Sequence, residues 1–155
     1  MIDEIVSRFG RLDFLVNNAG GAPPTDSATA SASFQQKIVA VNLMAAIWCS
    51  QAANRHMQNQ SDGGAIVNIG SVSAERPAPT VAAYGAAKAG LANYTRTIGQ
   101  EWLPKVRANL GTVGMVRTEQ AHLHYGDEEG VQRVGSQVPI GRLAWPAEIG
   151  DVCVY

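Results

Sequence analysis

Tyr84 and Lys88 stand four residues apart at the end of the stretch SVSAERPAPTVAAYGAAK, which opens on Ser71. On a helix, residues at that spacing are surface neighbours, so a phenol and an ammonium would project from one side. The ammonium favours the phenolate and lowers the phenol's pKa from its usual value near 10. Reaching neutral pH takes about three units, roughly 4 kcal/mol of differential stabilisation. A phenol poised that way gives or takes a proton in a reaction. Gly85, Ala86, Ala87, Ala89 and Gly90 leave room for a flat ligand against the same helix. Ser71 follows Gly70 at the carboxyl end of a strand-like run, where parallel sheets place ligand sites and where a hydroxyl can steady an oxygen that gains charge. A tyrosine and a lysine at helical spacing also occur without function, so the trio gains weight only from its company.

The elements that must position these groups follow from periodicity. Ile2, Ile5, Val6 and Phe9 recur at helical spacing, and Gly10 is placed to end that helix. LDFLV, between a glycine and NNAGG, reads as a strand buried on both faces. The polar loop GAPPTDSATAS leads into a long helix over 34–57, and AIVNIG forms a second buried strand. A third long helix covers 81–103, VRANLGTV forms a third strand, and 115–136 is irregular with one short helix near 128–134. Pro146 suits the first turn of a last helix. Strands alternating with long helices predict right-handed crossovers and a parallel sheet. The fold class is therefore α/β, a partial doubly wound, Rossmann-like sheet with three recognisable strands, and residues 1–155 read as one incomplete domain.

Bulk properties narrow the partners. Twelve basic and thirteen acidic residues give a net charge of −1 with no basic block, which speaks against nucleic acid. The longest apolar stretch, AVNLMAAIWC, is too short to cross a bilayer, and MIDEIVSRFG is unlike a secretory signal. Cys49 and Cys153 read as small buried hydrophobes in a reducing, cytoplasmic setting.

Five motifs in order resemble the short-chain dehydrogenase/reductase family. They are LVNNAGG at 15–21, VNL at 41–43, IVNIGSVS at 66–73, YGAAK at 84–88 (the family's Y-x-x-x-K) and VGMVRT at 113–118. The resemblance spans the chain and implies reversible hydride transfer between a secondary alcohol and a ketone, or at the carbonyl partner of an activated double bond, with NAD or NADP. It implies that Tyr84 is the acid/base, that Lys88 holds the nicotinamide ribose and depresses the tyrosine's pKa, and that Ser71 orients the substrate oxygen. Asn42 would bind, through its main chain, a water that relays protons from Lys88. Asn18, Ala19 and Gly20 would border the cofactor ribose, with Gly20 letting backbone come close. Gly114, Val116 and Thr118 would lie near the carboxamide and phosphates. Where the family has proline before Gly114, this chain has Val113, which loosens that loop. The substrate would be enclosed by 74–80 and 115–136.

The family's opening strand, glycine-rich turn and helix receive the cofactor pyrophosphate, yet no G-x-x-x-G-x-G element occurs in this chain. The resemblance thus implies a fragment that, alone, binds dinucleotide weakly or not at all, and it leaves LDFLV as a bare apolar edge. The alternative is an inactive association module. In either case the helices at 34–57 and 81–103 resemble those that build the family's homodimers and homotetramers. Outside the motifs, His122 and His124 lack convergent further ligands, so no metal site is expected; solvated loop histidines or substrate contacts fit better. His56 suits a helix end, Asp127-Glu128-Glu129 suits a helix start, and Trp48, Trp102 and Trp145 suit core or subunit contacts.

Overall fold

The computed structural model describes residues 1–154 and divides into two compact units, 1–112 and the stretch from Val113 onward. The first unit runs α1 (Ile2–Phe9), β1 (Phe14–Asn17), α2 (Ala32–Val39), a π turn (Ala40–Met44), α3 (Ala45–Met57), β2 (Gly64–Ile69), a 3₁₀ turn (Val72–Ala74), α4 (Ala82–Glu101) and β3 (Val106–Gly111). The second holds α5 (His122–Tyr125), α6 (Glu128–Gly135) and α7 (Pro146–Val154). The helices expected from periodicity are present with sensible ends. Gly10 closes α1 through a 2.7 Å bond from its N–H to the Val6 carbonyl. The Ser31 hydroxyl accepts from Phe34 N at 3.2 Å to open α2, and an Asp127 carboxylate oxygen accepts from Gly130 N at 3.0 Å to open α6.

The three strands form one parallel sheet in the order β1-β2-β3. Phe14 to Asn17 stand beside Ala65 to Asn68, and Gly64 to Ile69 stand beside Val106 to Gly111. Side chains alternate between the two faces. One face carries Leu15, Ile66, Val106 and Ala108, which pack with Ala53 and Met57 of α3 and with Trp102 into the main core. On the other face Phe14 is 53% exposed and Val16 43%. The expectation of a strand buried on both faces therefore fails for β1. β1 stands at one edge of this sheet, and the expectation of a bare apolar edge describes it.

Other expectations need correction. The helix expected over 34–57 begins at Ala32 and is interrupted by the π turn, where Ala45 N–H reaches back five residues to Ala40 O. The His122–Tyr125 helix lies in a stretch read as irregular. Cys49 and Cys153 are free but only half-buried. Trp48 is 57% exposed and Trp145 is also exposed, so neither fills this chain's own core, whereas Trp102 does pack against it. In the second unit Ala121, Val131 and Leu143 form a small core, and Val116 pairs in parallel with Ala144. Among the described residues no helix is long and apolar enough to cross a membrane.

Candidate active site

β1 and β2 run parallel and end at the same edge of the sheet, so the loops that follow them, Asn18–Gly20 and Gly70–Ser71, leave from that edge. Ser71 is buried, its Oγ accepts from Ser73 N at 3.2 Å, and it thereby opens the 3₁₀ turn. With that lone pair occupied, the hydroxyl hydrogen remains available to a ligand oxygen. Next to Tyr84 on α4 sits Gly85, where a Cβ would lie 2.9 Å from the Ser73 carbonyl oxygen. The missing side chain is what lets α4 dock on the turn that follows Ser71. Ser71 and Tyr84 are brought to one region by that contact.

Lys88 is the unusual group. It is 3% exposed, and its Nζ donates to the Ile69 carbonyl at 2.7 Å, at the end of β2. The ammonium stands 5.7 Å from the centroid of the Tyr84 ring, within cation–π range. Burial pushes its pKa below the ordinary lysine value. No carboxylate among the described residues pairs with it. Buried charges are normally paired, so a lysine held by one carbonyl and one aromatic ring has unused donors. Tyr94, further along α4, differs: burial pushes its phenol up, with a hydrogen bond from Ser50 opposing.

Asn42 sits in the π turn, 1% exposed. Its side chain accepts from Gly21 N at 2.8 Å and donates to Gly21 O and Ile38 O, each at 2.9 Å. The amide thus clamps the loop after β1 to the helix. Gly20, just before that clamp, is packed so closely that a Cβ would fall 2.6 Å from Asn42 Oδ1 and 3.2 Å from Lys88 Nζ. Asn18, Ala19 and Gly20 are exposed. The structure therefore gathers Gly20, Asn42 and Lys88 directly, and adds Tyr84 through Lys88 and Ser71 through Gly85. Gly114, Val116 and Thr118 belong to the second unit. There Val116 is flanked by bonds from Arg117 N to Ala144 O and from Ala144 N to Met115 O, and Thr118 O accepts from Ala121 N at 3.0 Å. His122 Nδ1 lies 3.0 Å from Glu119 O, and His124 leans on the Tyr125 ring. His56 does more than suit its helix end: its Nε2 lies 2.7 Å from an Asp3 carboxylate oxygen of α1, which holds that carboxyl below its usual range.

One set of residues escapes a reading by motif. Asn17 Nδ2 donates to Asn68 Oδ1 at 2.8 Å and Ser50 Oγ at 3.0 Å, and Asn68 Nδ2 donates to Thr95 Oγ1 at 2.9 Å. Thr95 Oγ1 donates on to Leu91 O at 2.7 Å. This network pins β1, β2, α3 and α4 together beneath the site. Its signal in the sequence is an asparagine inside each of two apolar strands, a residue that strands disfavour.

The family model described as enoyl-(acyl carrier protein) reductase matches residues 1–155. A probable 2,4-dienoyl-CoA reductase of Bacillus subtilis is 35% identical over the whole of this chain and 62% of its own length. D-threitol dehydrogenase of Mycolicibacterium smegmatis is 32% identical, over 99% of this chain and 58% of its own. Among solved structures, aldohexose dehydrogenase of Thermoplasma acidophilum is similar with a TM-score of 0.92 at 27% identity, covering 99% of this chain and 63% of that one. A short-chain dehydrogenase/reductase of Serratia marcescens is similar with a TM-score of 0.87 at 31% identity, over 99% and 61%. The chain belongs to the short-chain dehydrogenase/reductase family. It spans about 60% of the length of these relatives.

Proposed function

We propose that this chain carries the catalytic centre of an oxidoreductase that interconverts a secondary alcohol and a ketone with NAD or NADP. The observation that carries the reading is the buried Lys88 ammonium beside the Tyr84 ring, held by a strand-end carbonyl rather than by an acid. Burial disfavours the charged lysine, and a negative charge developing nearby would offset that cost. Tyr84 then gives or takes the proton on the substrate oxygen, and Ser71 donates a hydrogen bond to that oxygen as its charge changes. Asn42, in the π turn, would bind through its main chain a water that links Lys88 to solvent. A nicotinamide, when bound, supplies or accepts the hydride. The residues fit such a group: Lys88, bonded to one carbonyl, keeps two N–H donors for ribose hydroxyls. Asn18, Ala19 and Gly20 would border the ribose. The relatives act on unlike substrates but are all named as reductases or dehydrogenases, which supports the reaction type.

The test is steady-state turnover of ketones with NADH and NADPH by the protein that carries this chain. Tyr84→Phe should lower kcat by about 10²–10⁴-fold with KM little changed. Full activity in that variant overturns the reading. A second copy of the chain is the proposed partner, because Val41 and Trp48, seven residues apart across the π turn and α3, are both large, apolar and exposed. Trp48→Glu should then shift the sedimentation coefficient toward that of a smaller assembly.

A further inference from the structure

Beside Tyr84 lies a cavity of about 250 Å³ for which the proton chemistry has no use. Its walls come from the loop after β1 (Ala22, Pro23), from α2 (Phe34, Ile38) and from the entry to α4 (Val81, Ala83), and Tyr84 is part of the lining. The remaining wall is alanine with a few neutral hydroxyl and amide groups, and no charged side chain lines it. Of the loop 74–80 expected to enclose the substrate, Thr80 lines this space, and the loop after β1, α2 and the entry to α4 supply the rest of the wall.

The walls are anchored by main-chain bonds, so the cavity is formed before anything enters it. Thr25 N donates to Thr80 O at 2.7 Å and ties the loop to the start of α4. Thr80 itself holds φ at 69°, a left-handed conformation that a β-branched residue rarely adopts, and such outliers concentrate at ligand clamps. Asn42 fixes Gly21, immediately before Ala22, through both its N–H and its carbonyl.

The lining decides what can enter. A carboxylate, phosphate or chain of hydroxyls would give up water without finding enough partners, whereas hydrocarbon gains by leaving water. An apolar cavity of about 150 Å³ takes benzene, so this one has room for a phenyl ring with a short tether. We propose that the cavity is the subsite for one substituent of the reacting carbon, and that the substrates are secondary alcohols or ketones carrying a neutral apolar arm of about phenyl size. The assignment rests on the proposed oxidoreductase chemistry, because Tyr84 is what joins the cavity to the reacting oxygen.

The experiment reads binding and turnover separately. In the protein that carries this chain, ¹³C-methyl labelling of isoleucine places a reporter, Ile38, in the wall. Titration with 4-phenyl-2-butanone should shift the Ile38 methyl saturably, and hydroxyacetone should not. Filling the cavity by Ala83→Leu, or from the loop side by Ala22→Leu, should weaken that binding and kcat/KM for the phenyl ketone by about tenfold or more, while 2-butanone changes less than about threefold. The two variants approach from different elements, so a folding defect in one leaves the other as the test. An unmoved Ile38 methyl, or equal losses for the two ketones, overturns the subsite. A shift at Ile38 without any turnover overturns the oxidoreductase reading and retains the apolar site; turnover indifferent to the size of the arm overturns the subsite alone.

Discussion

The two units solve the problem of holding polar groups in opposite ways. In residues 1–112 the polar side chains that matter lie inside: Asn42, Ser50, Asn68, Lys88 and Thr95 are all nearly inaccessible and bond to backbone or to another side chain. From Val113 onward the side chains form surface ion pairs, Arg117 with Glu128 and Arg142 with Glu148, around a core of three buried apolar residues. Amides and hydroxyls in the interior fix positions because an unmade bond there is costly. Exposed ion pairs are screened and fix little. The first arrangement suits a centre whose atoms must not move, the second a segment that is free to vary.

The contrast can be broken from its strong side first. Met57 is fully buried against Ile66 and Val106, and Met57→Ala should cost about 2–5 kcal/mol in urea unfolding. A loss below about 1 kcal/mol would mean that the first unit is not organised by this core. Next in size, Asn68→Ala takes one partner each from the Asn17 amide and the Thr95 hydroxyl, and about 1–3 kcal/mol should be lost. If the hydrophobic replacement proves neutral, the network is decoration and not a clamp. The smallest effect lies in the second unit and is a matter of pH. Glu148 accepts from Arg142 at 2.8 Å and from Trp145 N at 2.7 Å, which lowers its pKa to about 2. Its folded value is below the ordinary 4.5, so its stabilising contribution is present above pH 4.5 and fades as the pH falls toward 2. Carboxyl chemical shifts should show a midpoint near 2 that climbs toward 4.5 in Arg142→Ala; a midpoint already at 4.5 removes the ion pair from the account.

How much of this was legible in the sequence depends on whether the signal was local. Strands and helices follow from apolar spacing, and Ser71, Tyr84 and Lys88 follow from motif order, because each signal is contained within a few neighbouring residues. The clamp by Asn42 is only half legible. VNL marks the position, but the bonds to Gly21 depend on where a loop twenty residues earlier comes to rest. Asn17 and Asn68 are unremarked singly and meet only because the β1–β2 register sets them side by side. The cavity beside Tyr84 is invisible for the same reason, being made from three segments whose approach no window of sequence contains.

The widened turn at Ala40–Met44 has a consequence for everything that follows it. Inward-facing positions run Ile38, Asn42, Ala46, Ser50, every fourth residue, a cadence too slow for an unbroken α-helix. The extra residue absorbs that lag and keeps one side of the rod aimed at the sheet. Were that turn to wind as ordinary α-helix with all its residues kept, Ala53 and Met57 would swivel by about 100°, unseating the core from a distance of about three turns.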